Sequence, residues 1–386
     1  MKKRKSLISR ITSALISGTV AVLSVPISGP SHTHAHAEDN SGELKHIRIV
    51  EGDSSEYGEM EIRYIDENGN EIVPNLKPER DDRAVSYPSS YDLRDYGYLT
   101  SVKQQYPTDT CWAHSVMAVA ESNMIVKGLA DSSIDLSEAH LVWFARGRYS
   151  TDKSDPLYMD GENFGTDAYD KGGYPLLAQG TLARWSGVQL EENAPNVTTS
   201  PELSESQRYI SYGYLVNSNN YDYDITDTTD IKNHLMNKGA LTLSYYTPVY
   251  VENSSSDCYS DTYDSYYQTA VTERTNHAVT LVGWDDNFSK NKFEGAVPAG
   301  NGAWICKNSW GESFLDGGYF YMSYYEPTIA RIISYEIDST DTYDSLYQYD
   351  GARDGGYSSS VGITGANIYT AEQTETIKSV GIYTGE

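Results

Sequence analysis

Four residues of this chain have the types and contexts that attack on a carbonyl by sulfur requires: Cys111, His277, Asn308 and Gln105. Such chemistry needs a thiolate, a proton acceptor beside it, a group that orients the acceptor, and donors for the oxyanion that develops. Cys111, in SVKQQYPTDTCWAHS, stands where a polar, turn-forming segment gives way to an apolar helical pattern. There it would feel the positive end of a helix dipole, which lowers a thiol pKa. His277, in TNHAVTLVGWDD, heads a β run from which a rigid strand could present an imidazole across a cleft. Asn308, in WICKNSWG, could hold that ring through the nitrogen not facing sulfur, and Gln105, six residues before Cys111, could set an amide N–H beside the Cys111 backbone N–H. Singly, each has a plainer reading as a packed cysteine, a satisfied histidine or a turn. Their order and contexts together carry the chemistry. His114 lies three residues from Cys111 on the same first turn, which aims it beside the sulfur rather than across a cleft, so it is read as structural.

The elements that must position these residues fall into two textures. From Cys111 to about Lys127, Ala113, Val116, Met117, Ala120, Met124 and Val126 form a broad apolar helical face, with Gly128 at the stop. LSEAHLVWFARG, YPLLAQGTLARWSG and TDIKNHLMNKGA also read as helical. Beyond Gly239 come short β-rich runs, LTLSYY, AVTLVGWDD, GAWICKNSW and GGYFYMSYYE, separated by Gly, Asn and Asp turns. A helical half followed by a β half predicts a cleft between two lobes.

Residues 1–37 read as a secretory signal peptide: a cationic MKKRKSLISR, the apolar ITSALISGTVAVLSVPI, and the small-x-small Ala35-His36-Ala37. A single-span anchor is the plainer rival, but Ser, Thr and Gly interrupt the run. The whole chain carries 29 Lys+Arg against 55 Asp+Glu, a formal charge of −26; loss of five basic residues with the signal leaves −31. Such a surface repels phosphate backbones and argues against nucleic acid as a partner. Three cysteines cannot build a disulfide framework; Cys258 and Cys306 could pair or both stay reduced. With no CxxC or HExxH, and with His32, His34 and His36 inside the signal, neither a metal nor a cofactor is expected. Residues 38–85 hold the strand-like HIRIV and EMEIRYID and a turn at Glu67-Asn68-Gly69-Asn70, as a pro-segment or an added β edge. After about Tyr335 an acidic, Tyr-rich segment leads to GITGANIYTA and SVGIYTG, a β-rich module expected to continue past Glu386. Its acidic run lacks DxDxDG spacing and is read as a solvated face rather than a calcium loop.

Over residues 91–335 the sequence resembles the papain-like cysteine peptidases, through YDLRDYGYLTSVKQQYPTDTCWAHS, LSEAHL, GGYPLLAQGTLARW, IKNHLMNKGALTLSYY, NHAVTLVGWDD and WICKNSWGESFLDGGYFYMSYYE. The resemblance implies an α+β, two-lobe fold over 86–335 and a secreted endopeptidase acting on protein or peptide substrates. It assigns Cys111 as nucleophile, His277 as base and acid, Asn308 as orienting group and Gln105 as oxyanion donor. Trp310 would shield the Asn308–His277 bond, and Gly172 and Gly173, with Trp112 and Trp310, would border the substrate groove. Residues 336–386 resemble the start of the lectin-like module of some secreted bacterial members, with cell-surface glycans as its partner. A surface adhesin on a peptidase-like scaffold is the rival reading.

Departures are also visible. Where the family has Cys-Gly-Ser-Cys-Trp, this chain has Thr108-Asp109-Thr110-Cys111-Trp112. Asp109 puts a negative charge near Cys111 and should oppose thiolate formation, so Asp109→Gly should lower the apparent acidic pKa of the kcat/KM profile. The 166 residues from Cys111 to His277 exceed the usual span of roughly 130–150. The 31 from His277 to Asn308 predict an inserted loop at NFSKNKFEGAVPAGNG.

Overall fold

The computed structural model describes residues 45–51, 62–65, 71–72, 86–146, 165–183, 188–195, 216–222, 224–248, 258–269, 275–338 and 355–358. The expected signal peptide and the strand-like GITGANIYTA and SVGIYTG lie outside them. The helical half consists of α1 (Cys111–Val126), α2 (Glu138–Arg146) and α3 (Leu177–Ala183), with α4 (Thr228–Lys238) leading into the sheet. The order and limits of these helices follow the apolar periodicity, and Gly128 and Gly239 close α1 and α4 with positive φ.

Helix α1 is buried from Cys111 through Met124, which is the environment of a central rather than a surface helix. Its polar residues must therefore bond across to other elements. Ser115 donates to Val279 O at 2.7 Å, Ser122 accepts from Ala240 N at 3.1 Å, and Asn123 both donates to Lys238 O and accepts from Ile337 N. These bonds pin the helix to the β lobe and fix where its N-terminus ends.

The β lobe is a nine-stranded sheet. Its strands are β4 (Ser90–Asp92), β5 (Val216–Asp222), β6 (Leu241–Tyr245), β7 (Tyr259–Ser260), β8 (Ser265–Tyr266), β9 (His277–Asp285), β10 (Ala303–Lys307), β11 (Tyr319–Ser323) and β12 (Arg331–Asp338). The order is β5-β12-β6-β9-β10-β11-β8-β7, with β4 pairing β9; the β8–β11 pair is parallel and the others antiparallel. Strand β9 lies at the centre, buried along nearly its whole length, and α1 packs on β9, β6 and β12. Strand β12 carries the sheet three residues past the expected limit at 335. The segment between His277 and Asn308 where an inserted loop was expected turns around the short helix Lys290–Lys292, with Phe288 and Phe293 packed with Tyr267 and Ala303.

A second sheet unites both ends of the chain. β1 (Lys45–Glu51), β2 (Ile62–Ile65) and β3 (Glu71–Ile72) form an antiparallel meander, and β13 (Gly355–Ser358) pairs β1 in the register Lys45↔Ser358 to Arg48↔Gly355.

Candidate active site

Cys111 is the first residue of α1 and is fully buried. Thr110 precedes it but gives no side-chain cap; its hydroxyl instead bonds Thr108 Oγ1 at 2.6 Å and approaches His114 Nδ1 at 3.3 Å. The N-terminal dipole of the helix is thus not quenched by a capping hydroxyl, which suits a site where negative charge must form. His114 Nδ1 bonds Thr110 O at 2.9 Å, and burial lowers its pKa, so it is the structural residue expected from its spacing.

His277 opens β9, opposite Tyr245 of β6, and Asn308 directly follows β10. Asn308 Oδ1 accepts from Ser309 N at 2.8 Å, which identifies that atom as the oxygen. Because His277 Nε2 lies 2.9 Å from the same oxygen, Nε2 carries the proton and Nδ1 becomes the nitrogen for proton exchange. Trp310 stacks on the imidazole with centroids 4.7 Å apart and planes at 29°, and Tyr245 meets it edge-on at 5.7 Å. Both rings pack on the imidazole that Asn308 holds.

Gln105 is buried and tied to the β lobe twice: its N–H donates to Ser309 O at 2.8 Å, and its Oε1 accepts from Ser309 Oγ at 2.7 Å. Nε2 donates one proton to Thr108 O at 3.1 Å, and an amide nitrogen has a second to give an oxyanion. Ser309 therefore orients the amide, a role the sequence reading did not assign, although its place beside Asn308 was a usable signal.

Gly172 adopts φ 63°, and a Cβ on Gly173 would fall 2.4 Å from the Trp112 indole. The Gly pair lets the backbone lie flat on that ring. Trp112, 0% exposed, lies beneath Gly173, and Trp310, 3% exposed, packs on His277.

Beside α1, next to Lys307 of the β lobe, lies a largely buried charged cluster that the sequence did not reveal. Lys103 Nζ reaches Asp135 at 2.6 Å, Glu138 at 2.8 Å and Glu121 at 3.6 Å. Glu121 also accepts from Thr100 Oγ1 and Leu136 N, and Lys307, next to Asn308, donates to Thr100 O at 3.0 Å. Burial depresses the Lys307 ammonium to about 8 against the pull of Glu121, and burial raises the Glu121 carboxyl. Burial alone would lower Lys103 too, but Glu138 and Glu121 overcome it and raise its pKa. On the other side of Cys111, burial and then Asp170 push the Asp109 carboxyl up to about 7. No disulfide joins Cys258 to Cys306, and among the described residues no group of three His, Cys, Asp or Glu side chains is placed to hold a metal.

A helix N-terminal thiol, a β-strand imidazole bound to an asparagine, and a tryptophan stacked on that imidazole are groups that thiol acyl transfer can use. The family model described as papain family cysteine protease matches residues 87–337. The chain belongs to the papain family of cysteine proteases. Its two-lobe α+β fold is that of the family. A cysteine protease of Blomia tropicalis is 30% identical over 247 residues, 61% of this chain and 61% of that protein. Procathepsin L of Felis catus is 27% identical over 252 residues, 62% and 61% of the two chains. This chain thus spans about three fifths of their length. Among solved structures, the clostridial cysteine protease Cwp84 after propeptide cleavage has a TM-score of 0.56 and 29% identity, covering 69% of this chain and 62% of that one. The cysteine protease and lectin-like domains of Cwp84, a surface layer associated protein of Clostridium difficile, have a TM-score of 0.59 and 25% identity, covering 82% and 65%.

Proposed function

We propose that this chain is a secreted or surface-displayed cysteine endopeptidase that cleaves protein or peptide substrates through Cys111, His277, Asn308 and Gln105. The observation that carries the reading is the 2.9 Å His277 Nε2–Asn308 Oδ1 bond under Trp310, which fixes the tautomer needed for an imidazole to serve a thiol. The Cys111 thiol gives its proton to His277 Nδ1, and the thiolate adds to the scissile carbonyl. The oxyanion is held by the Cys111 backbone N–H and the second Gln105 amide proton. His277 then protonates the leaving amine, C–N cleavage leaves a thioester, and His277 draws a proton from water as it attacks to release the acid and restore the thiol. Gly172 and Gly173 line the groove that receives the substrate backbone.

Secretion is supported by the sequence of residues 1–37 and by the surface-layer association of the Clostridium difficile neighbour. The test is hydrolysis of a fluorogenic peptide library in dithiothreitol by the wild type and by Cys111→Ala. Activity lost in the variant supports the reading; equal activity in both rejects it.

The lectin-like domain named in that neighbour supports a second role for residues after 338, binding of cell-surface glycans. The pairing of β1 with β13 places β1–β3 in the same sheet as that segment, which favours an added β edge over a pro-segment for 38–85. On this reading, cutting the chain between Ile72 and Val85 leaves the N-terminal piece bound: the two fragments co-elute on gel filtration. Separation without denaturant would contradict it.

A further inference from the structure

His277 is gripped from a side that the thiol–imidazole–amide arrangement does not require. Tyr245, its cross-strand partner on β6, is 0% exposed, and its hydroxyl bonds that of Tyr259 at 2.6 Å. The Tyr259 hydroxyl also bonds Thr247. Thr247 is clamped at both backbone atoms by the side chain of Asn276: its N–H donates to Oδ1 at 2.7 Å and its carbonyl accepts from Nδ2 at 2.8 Å. Asn276 precedes His277, and its own N–H donates to Tyr245 O at 3.1 Å. The contacts close a ring through His277, Tyr245, Tyr259, Thr247 and Asn276. Tyr259 is the only one of these from outside the β6 and β9 ends. It lies on β7, at the far edge of the sheet order, yet its hydroxyl reaches that of Tyr245; Tyr266 packs against it at 4.5 Å and donates its own hydroxyl to Tyr246 O.

We infer that Tyr259 is a positioning residue for the proposed general base, its hydroxyl tying Tyr245 and Thr247 together so that the His277 imidazole is held in one place on β9. The inference rests on the assignment of His277 as base. Two buried hydroxyls that merely satisfied each other would be dispensable as a pair, because replacing both partners by apolar groups of the same shape is nearly neutral for stability. A brace would be missed in catalysis even when stability is kept.

The test is therefore the double variant Tyr245→Phe/Tyr259→Phe, which keeps both rings and leaves neither tyrosine hydroxyl facing an apolar edge, beside Tyr259→Phe alone. The expected result is a midpoint of thermal unfolding within a few degrees of wild type, KM within about twofold and kcat reduced about threefold to tenfold, the worth of one buried neutral hydrogen bond. The His277 Nε2–H proton resonance should broaden or move in the same variants. A double variant with wild-type kcat and an unmoved resonance overturns the inference. Should Tyr259→Phe alone fold poorly, the double variant still decides the matter. A wild-type enzyme without peptidase activity but with the resonance moved in the variants would sink the assigned activity while leaving the brace in place.

Discussion

The two walls of the site hold their residues by different chemistry. Around α1 the helical half is held by ions: Lys103 against Glu121, Glu138 and Asp135, with Lys307 of the β lobe close by. Around His277 on β9 the β lobe is held by neutral groups, namely Trp310 and Tyr245 around the imidazole, an amide at Asn308, and hydroxyls at Tyr245 and Tyr259. An ionic cluster is strong only while every member is present, since a charge left alone in the interior is costly. Neutral aromatic contacts give way in smaller steps and do not change with pH near neutrality. The difference teaches that cohesion of the helical half and base placement are separable, so a substitution on one side should report mainly on stability and on the other mainly on turnover.

The largest effect should come from Lys103→Met. It strands Glu121 and Glu138, whose side chains are each 1% exposed, and should cost about 3–5 kcal/mol in urea unfolding. A loss below ~1 kcal/mol would erase the contrast between the walls. Less drastic is Asp109→Asn. Below pH 7 the Asp109 carboxyl is largely protonated and carries no charge; above it, the carboxylate opposes the Cys111 thiolate. The effect expected from sequence on the acidic limb therefore moves to the neutral and alkaline side. The variant should match wild type at pH 5.5 and exceed it about threefold in kcat/KM at pH 8, the worth of one partly screened charge. Equal profiles at both pH values would remove Asp109 from the account. Smallest is Lys238→Ala at the surface pair with Glu336, where the lysine is 47% exposed. Its cost should stay within about 0.5 kcal/mol, and a larger loss would show that the rim of the β lobe is not the weakly held region that solvent screening makes it.

How far the sequence foretold this arrangement depends on whether the signal was local. Helix α1 and strands β6, β9, β10 and β11 were legible because their apolar periods and glycine stops lie within a few residues. Strand β5, VNSNNYD, carries no such pattern and forms because β12 supplies its ladder. β12 itself was missed by its position, in a run placed at the domain limit. Cys111, His277, Asn308 and Gln105 were singled out from residue type and context, and the structure brings His277 to Asn308 and ties Gln105 to Ser309. Lys103 meets Glu138 across 35 positions, and Tyr245 meets Tyr259 from the far edge of the sheet order, so neither pair leaves a mark in the linear pattern.

The central claim is that His277 serves the Cys111 thiol across the cleft. The most direct measurement is the rate of Cys111 alkylation by iodoacetamide from pH 5 to 9, in the wild type and in His277→Ala. The account predicts that the wild type still reacts rapidly at pH 6, where an ordinary thiol near 8.5 has slowed by roughly two orders of magnitude, and that His277→Ala falls with pH as an ordinary thiol does. Two superimposable profiles, both declining tenfold per unit below 8.5, would contradict it.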